Sequence, residues 1–153
     1  MKKVDLVQKI KETHQAWDIA LAKISEADML LPSGKSGWTV TDTIAHISWF
    51  EREMVAVVEA RALVGSDLWL LPPDERNAAI YEENHTRPLT AILTESTQIQ
   101  QQLVKALSDL PHNFPLDDPA QFENMPADWI PWELIASNSF EHYQAHYLGL
   151  SSQ

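Results

Sequence analysis

The chain has 153 residues, 44% of them hydrophobic, enough for a single domain over 1–153 with a full core; it has no cysteine, which excludes disulfides, thiolate zinc sites and a cysteine nucleophile. Its 11 Lys and Arg stand against 22 Asp and Glu, a formal net charge of −11, so phosphate backbones are repelled and nucleic acid is not an expected partner. The four glycines form no phosphate-cradling cluster, Met1-Lys2-Lys3-Val4-Asp5 runs straight into an amphipathic pattern instead of a signal peptide, and no apolar run spans a bilayer. These features predict a soluble, cytoplasmic chain with no membrane partner.

Over residues 3–24, Val7, Ile10, His14, Trp17, Leu21 and Ile24 recur in alternating steps of three and four, the seam of a first helix. His14 breaks the apolar rule. It reads as a core histidine bonded to a neighbour, with metal ligation as the rival reading. Residues 28–38 carry Pro32, Gly34 and Gly37 and read as a loop. Thr39-Val40-Thr41-Asp42 then has the spacing of a capping box and opens a second helix over about 40–64, with Ile44, Ile47, Met54 and Val58 as its core stripe. His46 flanks that stripe near Phe50 and Val57. Spacing alone favours a boundary histidine bonded locally over a ligand.

The long connection 65–87 contains Pro72-Pro73 and a short helical stretch over 74–84, and its length allows the helices on either side to run parallel. Thr86 is the expected cap of a third helix with Pro88 in its first turn, and Leu89, Ile92, Leu93, Ile99, Leu103 and Leu107 mark its inner face to about residue 110. His85 and His112 sit at element ends and are expected to be exposed. Residues 111–131 hold five prolines, so this stretch is a loop; Phe122, Met125, Trp129 and Trp132 within and beside it either roof a pocket or plug one end of the core.

The remainder, 131–149, reads as one helix opened by Pro131 and closed by Gly149. His142 and His146 lie one turn apart on it, so both imidazoles leave the same face, on the strip that also carries Ile135 and Ser139. Such a pair suits a metal site built inside a bundle, but two ligands do not close one.

Two stretches resemble the DinB-like (DinB/YfiT) metalloenzyme family. The first, Trp38-Thr39-Val40-Thr41-Asp42-Thr43-Ile44-Ala45-His46-Ile47, is similar to the family's signature at the start of its second helix. The second, Glu141-His142-Tyr143-Gln144-Ala145-His146, is similar to its paired histidines on the last helix. Residues 75–84 with Arg87-Pro88-Leu89 also resemble a segment found in a subset of members. The resemblance implies an all-α four-helix bundle in up-down-down-up order, with a short extra helix between the second and third. It places the three metal ligands on His46, His142 and His146. It also implies a homodimer, and its characterised members include transferases that use low-molecular-weight thiols and a thiol-dependent maleylpyruvate isomerase; the substrate is expected to be a small molecule, and a metal-bound water in place of a thiol would make the chain a metal-dependent hydrolase.

Three neutral imidazoles without a thiolate suit a borderline divalent ion, zinc or nickel, with a position left open for water or thiol. No carboxylate is placed as a general base, since Glu141 points about 100° from His142 on the helix and Asp42 is used as a cap, so no catalytic residue is assigned beyond the ligands. The reading from a different class is a non-catalytic bundle that sequesters a small molecule or partner.

Overall fold

The computed structural model describes residues 1–33 and 36–151, the last five of these by backbone alone. The described residues form an all-α chain without strands, as the periodicities predict. Helix α1 (Lys3–Leu21) carries the expected seam and buries Leu6, Ile10, His14 and Trp17. It stops three residues short of Ile24, which packs beside the core outside the helix. A short helix, α2 (Glu26–Met29), intrudes on the expected loop because Ser25 caps it by accepting from the Asp28 N–H; Gly34 lies outside the described residues.

Helix α3 (Val40–Ala60) starts as predicted. Thr39 Oγ1 accepts from the Asp42 N–H at 3.0 Å, and Asp42 accepts from the Thr39 N–H at 2.9 Å. The helix ends four residues before the expected Val64, because Arg61 takes a left-handed conformation (φ 48°) and turns the chain out. Helix α4 (Pro73–Asn84) follows, close to its predicted span. Helix α5 (Leu89–Ser108) is not capped by Thr86. The residue before a proline is driven out of helical geometry, so the boundary falls at Pro88 itself, which has no side-chain cap to offer.

The stretch 111–130 is a loop with one 3-10 turn, Pro119–Gln121. It inserts Phe114, Leu116 and Phe122 into the core and is tied to the end of α3 by Leu63 N–H donating to Glu123 O and Glu123 N–H donating to Arg61 O. Of the four residues that mark a roof or plug, Phe122 is buried and Met125 and Trp132 pack on the core, whereas Trp129 is 41% exposed.

The expected single helix over 131–149 is two helices, α6 (Pro131–Ser137) and α7 (Phe140–Ser151). The run Ser137-Asn138-Ser139 explains the break: Ser137 and Asn138 side chains both donate to Leu134 O, and Ser139 Oγ donates to Ile135 O. These bonds compete with the helix ladder for the same carbonyls. Gly149 lies within α7 and does not close it.

Most of the buried apolar residues fall into two clusters. One takes Leu6 and Ile10 of α1, Met54 and Val58 of α3, Ile99, Leu103 and Leu107 of α5, Ile135 and Ala136 of α6, and Phe140 of α7. The other takes Trp17 of α1, Ile44 and Ile47 of α3, Leu89 and Ile92 of α5, and Tyr143 of α7. Helix α4 packs on α3 through a smaller group of Trp49, Phe50 and Ile80.

Candidate metal centre

The capping box fixes where α3 begins and therefore the direction in which His46, seven residues on, leaves the helix. It points at α7. His46 Nε2 lies 3.1 Å from His142 Nε2, and one nitrogen from each of His46, His142 and His146 lies within 4.8 Å of the other two. The ring centroids are separated by 4.9 Å (His46 and His142), 5.3 Å (His46 and His146) and 5.0 Å (His142 and His146). Ligand atoms on one ion at about 2.0–2.1 Å each stand roughly 3.3–4 Å apart, so small ring rotations suffice to close the set.

Aromatic side chains wall the cluster. Phe50, one turn beyond His46 on α3, packs edge-on against His46 at 5.0 Å and against His142 at 4.9 Å. Trp38, just before the cap, meets His46 at 5.3 Å, and Tyr81 of α4 stacks on Trp38 at 5.6 Å. Removed from water, the imidazolium forms are disfavoured: burial, then the charges of His142 and His146, push His46 down to about 3. Burial and His146 push His142 down to about 4, and burial lowers His146. At neutral pH all three rings keep lone pairs available.

Two Nε2 atoms 3.1 Å apart repel unless a proton or a cation lies between them. The Nδ1 atoms of His46 and His142 are buried without a hydrogen-bond partner in the protein, so no carboxylate or carbonyl fixes their tautomers from behind. Among the described residues, this trio is the one group of three or more His, Cys, Asp or Glu with metal-binding spacing.

His14, the rival ligand, lies elsewhere. Its Nε2 is 3.1 Å from the Tyr143 hydroxyl in the core, as the reading of it as a core histidine bonded to a neighbour predicts. His85 is exposed and stacks on Tyr81, and His112 is exposed. A cleft of about 450 Å³ is lined by Met54, Val57, Leu63, Trp69, Leu70 and Trp129, so one of the predicted roof residues does border a cavity. Trp69 in turn packs on Phe50 at 5.5 Å.

The sequence reading passed over Glu51. It is 0% exposed, beside the Tyr143 that follows His142, and its burial pushes the carboxyl up to about 8. The signal was present: Ile44, Ile47, Met54 and Val58 leave a gap in the three-four seam, and residue 51 fills it.

The family model for the mycothiol maleylpyruvate isomerase N-terminal domain matches residues 10–132 of the chain. The protein therefore belongs to this family, part of the DinB and mycothiol maleylpyruvate isomerase-like superfamily, which bears out the resemblance at that level. The matched stretch contains His46 and ends before α7, so His142 and His146 rest on geometry and on the second motif. No curated protein and no solved structure gives a significant match.

Proposed function

We propose that this member of the mycothiol maleylpyruvate isomerase family is a metal-dependent enzyme in which His46, His142 and His146 hold one divalent ion, zinc or nickel, and which acts on a small molecule together with a low-molecular-weight thiol. The observation that carries the reading is the meeting of three uncharged imidazoles, two of them with Nε2 atoms 3.1 Å apart. The thiol half is supported by the matched family model, whose name is that of a mycothiol enzyme. A divalent ion held by the three imidazoles would supply a Lewis acid that lowers the pKa of a bound thiol or water toward neutrality. The chain's own contribution is threefold. His46, His142 and His146 offer lone pairs, Phe50 and Trp38 exclude water from their flank, and the aromatic wall favours an apolar or planar group beside the reacting atoms.

The distribution of apolar residues supports a four-helix bundle of α1, α3, α5 and the α6–α7 pair. Helix α1 passes from the first cluster to the second, α3 and α5 pass from the second to the first, and α6–α7 returns, which is an up-down-down-up order. We further propose a cytoplasmic homodimer with neither nucleic acid nor membrane as partner; the net charge of −11 supports the first exclusion, and no described helix is long and apolar enough to cross a membrane. Sedimentation showing only a 17.4 kDa monomer over a wide concentration range would remove the dimer.

The functional reading is tested on protein purified without a histidine tag. About one equivalent of metal per chain, and thiol-dependent consumption of an electrophile that is lost in His46→Ala, is the expected result. Metal-dependent hydrolysis without thiol selects the hydrolase form. A full metal complement with no turnover of either kind makes the chain a binding module, and a trace of metal removes the site.

A further inference from the structure

Each helix that contributes to both apolar clusters carries a polar residue where the two meet. On α1 it is His14, between Ile10 and Trp17. On α3, Ser48 and Glu51 lie between Ile47 and Met54, and on α5, Ser96 lies between Ile92 and Ile99. On α7 the Tyr143 hydroxyl reaches the same level, since His14 Nε2 is 3.1 Å from it and Ser96 Oγ is 3.4 Å from it. All five side chains are buried. The core is thus crossed by a polar layer with the phenol of Tyr143 at its node.

Among the described residues, no Lys or Arg is buried in this layer. Glu51 and Ser48 act on the Tyr143 hydroxyl from α3, yet Ser48 Oγ and both Glu51 oxygens fall short of conventional hydrogen-bond geometry. An ionised Glu51 here is an uncompensated buried charge, among the most costly arrangements in a folded chain. The groups that meet at the Tyr143 hydroxyl are His14 from α1 and Ser96 from α5, and neither brings a fixed positive charge.

Two proton arrangements are compatible with these neighbours. In one, Glu51 is ionised, Tyr143 donates to it, and His14 donates its Nε2–H to Tyr143. In the other, Glu51 carries a proton and donates it to the Tyr143 oxygen, while the Tyr143 hydroxyl donates to a bare His14 Nε2. We propose the second: Glu51 is a positioning residue, held as a neutral carboxylic acid, that orients Tyr143 toward His14 and so sets the rotation of α7 about its axis. Burial displaces Glu51 upward, toward its uncharged form, as full enclosure without a counter-charge requires, whereas His14 is uncharged in both arrangements. Trp17 Nε1 donates to Tyr143 O at 2.9 Å, so α1 grips the same residue by its backbone as well. His142 precedes Tyr143, and what fixes one fixes the bearing of the other.

The proposal does not depend on a bound metal and is tested on the metal-free full chain by NMR. With glutamate carboxyl carbons labelled, one resonance should keep the shift of a protonated acid at pH 7, and ring-nitrogen labelling should give His14 as the neutral Nδ1–H form. Glutamate carboxyls that are all ionised, with a proton on His14 Nε2, would overturn it. In Glu51→Gln, where an amide N–H replaces the acid proton, the ring resonances of His142 and His146 should stay in place; in Glu51→Leu they should shift. Resonances unmoved in a folded Glu51→Leu would overturn the positioning role. If Glu51→Leu does not fold, the labelled wild-type chain alone still decides the proton arrangement on which the role rests.

Discussion

The imidazole of His14 and the hydroxyl of Tyr143 meet at 3.1 Å in the core, one residue along α7 from His142. Two histidines that the sequence offers as rivals thus belong to adjacent but different constellations, and substitution separates them. His142→Ala should lower zinc affinity by at least on the order of 100-fold, more than is lost with an outer hydrogen-bond partner, and leave the helical content intact. His14→Ala should keep its metal and lose about 2 kcal/mol of stability through the unpaired phenol. Metal analysis with circular dichroism on both variants checks this; metal kept in the first and lost in the second would reverse the assignment.

Metal removal should leave the protein folded. The two apolar clusters draw on helices from every part of the chain and are complete without an ion, unlike small zinc domains whose metal affinity is their folding energy. After dialysis against a chelator, the far-ultraviolet dichroism should be unchanged and cooperative melting retained. A chelator-induced loss of helix would show that the histidines carry part of the core's stability.

The metal-free chain should be most stable near pH 6.5. Glu51, ordinarily 4.5, is raised to about 8, so between those values the folded chain holds one proton more than the unfolded chain and stability falls as pH rises, by up to about 1.4 kcal/mol per pH unit. His46 and His142, ordinarily 6.5, are lowered to about 3 and about 4, so below 6.5 the unfolded chain takes up their protons first and stability falls as pH drops. Urea titrations from pH 4 to 9 measure both limbs. Glu51→Gln should flatten the alkaline limb and steepen the acid one between 4.5 and 6.5, where the extra proton on Glu51 offsets one of the two that His46 and His142 lack.

Gly65→Ala should destabilise the chain by about 1–3 kcal/mol. A Cβ at this position would lie 2.8 Å from Trp69 Cδ1 and 3.0 Å from Glu53 Oε1. Glu53 accepts from the Ser66 N–H at 2.6 Å and from Trp69 Nε1 at 2.8 Å, so Trp69 cannot yield without breaking that pair. Chemical denaturation gives the cost, and a shift in tryptophan emission reports the displaced indole beside Phe50.

Helix positions followed from the three-four recurrence of apolar residues, because burial of one face is a local, periodic demand. The break at Asn138 did not, since it depends on which carbonyl three short polar side chains choose. The spacing of His142 and His146 was plain from one helix, whereas their meeting with His46, 96 residues away, is a tertiary fact that periodicity does not carry; it entered through the motif. Glu51 was readable as a charged residue on an apolar seam. Its lack of a counter-charge appeared only once α1, α5 and α7 were in place around it.

An uninterrupted helix is a rigid crank: whatever turns its first residue turns its last. Because Asn138 and Ser139 stand between α6 and α7, no continuous helix carries the angular setting of Trp132 on the loop side to that of His142 on the other. A movement at the cleft by Trp129 would then be taken up at this joint instead of turning the imidazoles. A joint-free variant, with alanine at 137, 138 and 139, would transmit it.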